Sequence, residues 1–403
     1  MKRKICIVCH YAQEPPYNTM LRYHNWGKEL VKRGHVVTII AASTLHNTNI
    51  DVVEETGKTE TECCGIRYVY IKTPRYTGNG LARIKNMLAF CFGIPQYAHL
   101  CEKPDIVITC EAYLYPFVRH GFKNTPIITD TVDLWPESII EYAGFSKSNP
   151  LVRILYHLEK KAYLKSSALI FSIEGGTDYL KEQKYYNQID MKKVFHINMG
   201  CDIEQCDKNL KNSWDNLPWD MSKRNIVYCG SVRKANQVRT LCEAAQKLPQ
   251  NVMLHIYGNG DEQEELEAFV KEKAITNVRF YGRIEKSKIP FILSHSTANI
   301  LTYKQVDLMK YGGSYQKMFD YFASGKPIIC NARIGYNLIE RYHCGIVTDD
   351  QTADSFSKAV NSLLSLSPEE LEIMGKNSRM VAEMYDQPIL VDKLEQVIDY
   401  VLR

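Results

Sequence analysis

Short apolar runs recur along the whole chain, separated by longer stretches in which apolar residues return at helical spacing. In the first half the runs fall at 4–9, 36–42, 66–72, 105–110, 126–130, 168–173 and 194–198. Nearly continuous apolar runs of this length predict strands buried on both faces. Between the first two, Tyr23, Trp26, Leu30 and Val31 mark one helix face and Gly34 stops the helix. Residues 203–223 are polar, with Asp207, Lys208, Asn209, Asn212, Asp215 and Pro218, and read as a linker. A second series follows, with strands at 225–229, 252–257, 277–281, 297–302, 327–330 and 345–348. Its helices are expected at 237–248, 262–274, 315–324 and 336–342, and helices near 353–365, 368–384 and 388–402 end the chain. This alternation predicts an α/β fold of two doubly wound parallel sheets, over residues 1–202 and 224–385. A cleft between them would carry the site at the strands' carboxyl ends.

The richest segment is 310–331. Gly312 and Gly313 lead into Ser314, an N-cap type, and a helix is expected to follow at once and to end at Gly325 before Pro327. Tyr315, Met318, Phe319 and Phe322 form its core face, and Lys317, Asp320 and Ser324 share the other. Backbone amides at a helix start, a lysine, and a carboxylate one turn deeper suit the diphosphate and ribose of a sugar nucleotide. An ordinary capped helix would leave the same pattern.

Here a resemblance enters. The run from Ser314 through Lys317, Met318, Phe319, Asp320 and Ala323 to Pro327 resembles the donor-binding segment of family 4 retaining glycosyltransferases of the GT-B fold, nearest to their bacterial capsule and O-antigen branch. Residues 20–40 resemble that branch's first helix and second strand. Asp133-Leu-Trp-Pro-Glu-Ser138 is similar to its Asp-Leu-Trp-Pro-Glu-Ser signature, and Asn198-Met-Gly-Cys-Asp202 to the Asn-Gly-Val-Asp that closes its first domain. The resemblance implies GT-B architecture, with residues 386–403 packing back on the first domain. It implies metal-independent transfer of a sugar, with retention, from a nucleotide-sugar to a hydroxyl of a glycan, with no cofactor. The acceptor would be a glycan or a polyprenyl-diphosphate-linked glycan of surface polysaccharide assembly.

The candidate residues follow from these segments. Gly230 and Ser231 follow the second series' first strand, and Arg233 and Lys234 are the nearby cations that, with Lys317, would balance the diphosphate. The resemblance would place an Arg directly after Gly230 and a Lys-Gly pair near Asn236; this chain has neither. Gly258-Asn-Gly-Asp261 reads as a structural turn. Gly282, Arg283 and Ile284 match the segment whose main chain holds the base, and Gly312, Gly313, Ser314, Tyr315, Met318 and Asp320 complete the donor set. Relatives carry two glutamates flanking seven residues in this region; here Gly312 and Asp320 stand instead, so the sugar contact falls to main-chain amides of Gly312, Gly313 and Ser314.

In the first half, Asp133 follows a strand and would stabilise an oxocarbenium-like transition state or position the acceptor hydroxyl; N-capping the next helix is its other reading. Trp135 and Pro136 read as packing residues. Tyr17 and Asn18, in a 13–19 loop without glycine, together with Arg22 and Glu137, are the acceptor candidates, and Glu137 could equally face solvent. His24 reads as a helix-surface histidine. The glycine-free loop excludes the Gly-x-Gly-x-x-Gly of a dinucleotide-dependent oxidoreductase. A non-catalytic sugar-nucleotide binder and a sugar-nucleotide epimerase of the same fold stay open.

Bulk properties bound this picture. The 403 residues are 45% hydrophobic and 24% charged, as in globular proteins of two domains. Thirteen cysteines, many in strand runs, suit a reducing, cytoplasmic setting. Cys6-x-x-Cys9 lies in a strand, where the spacing sends the thiols to opposite faces. Cys63 and Cys64 are adjacent and give no metal spacing, so no metal is expected. Residues 1–200 hold 25 Lys and Arg against 19 Asp and Glu, and the remainder 25 against 27. The basic first half is either a solvated surface or one drawn to anionic lipid or a diphosphate-linked acceptor. Within residues 81–100, Leu81, Ile84, Leu88 and Phe92, with Met87 and Phe90, make an apolar stripe that could rest on the inner face of a plasma membrane or on its own domain. Nucleic acid is not an expected partner.

Overall fold

The apolar runs become parallel strands because helices cover both faces of each sheet. The computed structural model describes residues 1–18, 21–78, 80–211, 217–348 and 350–403. Thr19 of the 13–19 loop and residues 212–216 of the expected linker lie outside the described residues. The chain divides into two units, Met1–Asn198 with Gln387–Arg403, and Met199–Asp386.

The first unit holds eight strands: β1 (Lys4–Val8), β2 (Val36–Ala42), β3 (Glu60–Cys63), β4 (Ile66–Ile71), β5 (Ile106–Cys110), β6 (Ile127–Thr131), β7 (Ala168–Phe171) and β8 (Val194–His196). Their order is β3-β4-β2-β1-β5-β6-β7-β8. Every residue of β5, β6 and β7 is buried, as their unbroken apolar character requires. The chain leaves β1 toward β2 on one side and later returns to β5 on the other, so the strand order reverses between β1 and β5. Strand β3 was not foreseen. It is a polar edge strand, Glu-Thr-Glu-Cys, antiparallel to β4, and edge strands lack the apolar run that marks central ones.

The last helix, Gln387–Leu402, packs in this unit against the helix Arg22–Lys32, as the resemblance implied. Arg33 donates to Asp392 (2.6 Å) and to Glu395, His35 pairs with Glu395 at 2.9 Å, and Arg3 reaches Asp399 at 2.5 Å. The helix Leu81–Tyr97 splits the apolar stripe in two: Phe90 and Ile94 turn into the core, while Leu81, Ile84, Leu88 and Phe92 are exposed.

The second unit is a six-stranded parallel sheet: β9 (Arg224–Cys229), β10 (Val252–Tyr257), β11 (Val278–Gly282), β12 (Ala298–Leu301), β13 (Ile328–Cys330) and β14 (Gly345–Val347). The order is β11-β10-β9-β12-β13-β14, reversing between β9 and β12. Tyr228, Leu254, Ile256, Ile300 and Phe356 lie in its core. The expected linker is partly structured, because a helix spans Ile203–Lys211 and Trp219 is buried with its Nε1–H on the Tyr257 hydroxyl at 2.9 Å. Among the described residues no helix is long and apolar enough to cross a membrane.

Candidate active site

Parallel sheets leave a crevice outside the carboxyl ends of the two strands where the order reverses. In the second unit these are β9 and β12. Two glycine turns build the floor. Gly230 N–H donates to Tyr257 O and Val232 N–H to Asn259 O, both at 2.9 Å, which lays the loop after β9 on the loop after β10. A Cβ at Gly258 would sit 1.8 Å from Gly230 O, and one at Gly260 2.0 Å from Val232 O. Only glycine permits that approach, and Gly258 also has a φ of +128°. The turn expected to be structural thus shapes the loop after β9.

Ser231 is pinned from two sides: its carbonyl accepts from the Tyr228 hydroxyl (2.7 Å) and from Asn236 Nδ2 (2.9 Å), and Asn236 Nδ2 also donates to Ser231 Oγ (2.7 Å). Lys317 reaches the same place from the helix Gln316–Ala323. Its Nζ donates to Asn236 Oδ1 (3.1 Å) and Thr302 O (3.4 Å) and lies 3.9 Å from the Tyr303 ring centre. No carboxylate pairs with it among the described residues, and burial pulls its ammonium down to about 7. A half-buried, desolvated cation held only by neutral oxygens and ring faces gains most from an arriving anion. Arg233 and Lys234 stand exposed on the same loop.

The remaining donor candidates divide. Ser314 does not cap the helix: the flanking residue is Tyr315, without a side-chain cap, and Ser314 Oγ instead accepts Met199 N–H at 2.9 Å. Gly312, at φ +114°, gives its amide to Met309 O (3.0 Å), so it is not one of the amides left for a sugar. A Cβ at Gly313 would lie 2.6 Å from the Tyr315 ring, so a side chain there requires that ring to shift. Tyr315 packs on Tyr303 with ring centres 4.2 Å apart. Met318 is buried in the core beside Phe319, as a core-face residue and not a ligand contact. Asp320 accepts from Gln316 Nε2 at 3.2 Å, and burial raises its carboxyl. Gly282 O accepts Gly258 N–H at 2.7 Å, with Arg283 exposed and Ile284 half-buried beyond it.

The first unit's reversal, between β1 and β5, holds a cavity of about 160 Å³ lined by Tyr11, His46, Arg83, Met87, Glu111, Tyr113, Asp133 and Trp135. An apolar cavity of about 150 Å³ accommodates a benzene, so this one suits a single six-membered ring. Asp133 lines this cavity, and it caps no helix: Pro136 precedes the helix Glu137–Ala143. Its carboxylate keeps solvent access within the cavity, yet the surrounding protein desolvates it enough to raise it from the ordinary value. Trp135, expected to pack, does so on Tyr113 with ring centres 5.5 Å apart, and it also lines the cavity.

Glu111 was missed. It follows β5 directly with φ +58°, a left-handed backbone rare for a residue with a side chain. Its Oε2 is buried with no hydrogen-bond partner among the described residues. Burial first, and Asp133 in addition, push its carboxyl up to about 7, against the Tyr113 hydroxyl and Arg83, which lower it. The available signal was an acidic residue at the carboxyl end of a central apolar strand. His10, after β1, is stacked between Tyr11 and Phe90 and held neutral by burial, at about 3. Asn86 donates to Thr44 Oγ1 and Pro74 O, so its Oδ1 accepts His10 Nε2–H at 2.7 Å and fixes the helix that carries Arg83 and Met87.

The acceptor candidates Arg22 and Glu137 are corrected. Arg22 forms a buried two-pronged ion pair with Asp130 (2.8 and 3.0 Å) and donates to Ile197 O and Asn198 O. Glu137 is buried, accepting from Lys147, Tyr156 and Gln183. Both tie elements of the unit together. Tyr17 and Asn18 stay on the loop after β1, where Asn18 Nδ2 holds the Tyr11 carbonyl.

Residues 212–381 match the family model described as glycosyl transferases group 1. No protein with a curated description matches the sequence. Among solved structures, the chain is similar to sucrose-phosphate synthase from Thermosynechococcus elongatus, at TM-score 0.76 and 15% identity over 98% of this chain and 98% of that one. It is similar to HepE of Anabaena in complex with UDP and glucose, at TM-score 0.70 and 13% identity over 98% and 99%. A third is a trehalose 6-phosphate synthase from Burkholderia multivorans, at TM-score 0.73 and 11% identity over 100% and 99%. The chain is a glycosyltransferase with the GT-B fold. Both reversal points of the glycosyltransferase carry groups tuned by burial, and the matched region contains the Gly230 loop and Lys317.

Proposed function

We propose that the protein moves a sugar from a nucleotide-sugar to a hydroxyl of a glycan acceptor, with retention, in assembly of a surface polysaccharide such as capsule or O-antigen. The observation that carries the donor assignment is Lys317, desolvated and without a carboxylate, beneath the Gly230 loop where β9 and β12 part. A diphosphate would supply the missing anion, and Arg233 and Lys234 would add long-range attraction. HepE, solved with UDP and glucose, supports a nucleotide donor.

During transfer the bond from the sugar's anomeric carbon to the phosphate oxygen breaks, and one to the acceptor oxygen forms. Negative charge develops on the departing diphosphate, where Lys317 stabilises it. The acceptor hydroxyl loses its proton to a phosphate oxygen or to Asp133. The acceptor's terminal ring would occupy the Asp133 and Glu111 cavity, with Tyr113 and Trp135 offering apolar faces. The exposed Leu81, Ile84, Leu88 and Phe92 would rest on lipid and bring the protein to a membrane-anchored acceptor.

A thermal-shift panel of UDP-, GDP- and dTDP-sugars tests the donor half. One nucleotide series should stabilise the wild type and leave Lys317→Ala unshifted. Equal shifts in both proteins would overturn the site. Turnover assays on the wild type and Asp133→Ala then separate an enzyme from a binder, since a binder turns over in neither.

A further inference from the structure

Away from both reversal points, three soft ligands converge at the edge of the first unit. His24, on the helix Arg22–Lys32, and Cys63 and Cys64, where β3 turns into β4, place one ring nitrogen and two sulfurs within 4.8 Å of one another. Sequence spacing hid this because the two thiols are adjacent and the imidazole lies some forty residues away. The hairpin does the gathering. Cys64 (φ +54°) and Gly65 (φ +76°) both take the left-handed conformation of a tight two-residue turn. That turn lies on the helix, for a Cβ at Gly65 would come within 2.8 Å of Val31 Cγ1.

The spacing fits a tetrahedral ion. Thiolates bound to zinc at about 2.3 Å stand about 3.8 Å apart at the tetrahedral angle. Cys63 Sγ and Cys64 Sγ are 3.9 Å apart. The imidazole is already held in place: His24 Nδ1 and the Tyr68 hydroxyl are 2.7 Å apart. Zinc-bound histidines commonly hold an oxygen with their second nitrogen in this way. Cys64 is exposed, which gives an ion its route in.

We propose that His24, Cys63 and Cys64 bind a thiophilic cation, zinc in the first instance, with a fourth position open to water. Binding releases the two thiol protons, so affinity rises with pH. The ion clips the β3–β4 hairpin, a sheet edge, to the helix beneath it. It takes no part in glycosyl transfer.

The test uses the full chain, reduced and stripped of metal, titrated with Zn²⁺ against a chromophoric chelator and with Co²⁺ for its thiolate charge-transfer band. One ion per chain is expected, with the band lost in a Cys63→Ser, Cys64→Ser double variant and weakened in His24→Ala. Tyr68→Phe should bind about 10–100-fold more weakly, as expected when a ligand's orienting partner is removed. Near-ultraviolet circular dichroism checks that each variant folds. A band unchanged in the double variant would assign the ion to other cysteines and overturn the site. So would a wild type that binds no zinc, or whose two thiols close into a disulfide while zinc is present.

Discussion

The two sheets carry their chemistry at the same topological place with opposite charge. In the second unit, β9 and β12 part over a lysine beneath a glycine loop. In the first, β1 and β5 part over two carboxyls in an aromatic cavity. Desolvation brings both to about the same value from opposite sides: Lys317 falls to about 7 from 10.5, and Glu111 rises to about 7 from 4.5. The fold thus supplies a position that is indifferent to sign. The side chain placed there decides which charge the crevice can carry.

The largest expected effect sharpens which residues belong to the first crevice. Arg22→Ala leaves Asp130 buried and unpaired, so urea unfolding should show a loss of about 3–5 kcal/mol. The acceptor KM of the folded fraction should be unchanged. A shift in KM at unaltered stability would return Arg22 to the acceptor site. Next, Lys317→Ala should lower kcat by about 10²–10³-fold at saturating donor, the usual loss for one donor aimed at developing charge. A near-normal rate would dissolve the parallel between the crevices.

Glu111→Gln comes third, and its sign follows from a raised acid. Below about pH 4.5 the carboxyl is protonated in folded and unfolded chains alike. Between 4.5 and about 7 the unfolded chain ionises first, so the wild type loses up to about 3 kcal/mol, which the variant keeps. Glu111→Gln should therefore match the wild type at pH 4.5 and exceed it at pH 8, while its acceptor kcat/KM falls about 10²-fold. Lys317 gives the mirrored experiment. Lowered to about 7, it is largely neutral at pH 8, and a bound diphosphate restores its charge. Calorimetry in two buffers should then show uptake approaching one proton on UDP binding, and none in Lys317→Arg. The smallest effect concerns lipid: replacing Leu81 and Leu88 by Ser should reduce co-sedimentation with anionic vesicles several-fold, with transfer to a soluble acceptor unchanged.

Central strands were legible because burial on both faces writes itself as an unbroken apolar run. β3 was not, since a polar edge strand shares its composition with loops. In the site, the helix bearing Lys317 was readable from periodicity and the Gly230 loop from its place after a strand. Glu111 was hidden because one acidic residue after a strand has no spacing partner, and only the fold brings Tyr11, Arg83 and Trp135 around it. Arg22 and Glu137 misled for the opposite reason. A charged residue beside a promising motif looks functional until a buried partner such as Asp130 accounts for it.

Gly258 and Gly260 have a practical consequence. Because main-chain atoms meet at that notch, no side chain can be added at 258 or 260 without parting the loop after β9 from the loop after β10, whatever stands at positions 233 and 234. Under the proposed donor site, a library at positions 233 and 234 should change donor preference without loosening the scaffold, whereas any residue but glycine at 258 would forfeit the packing of the two loops.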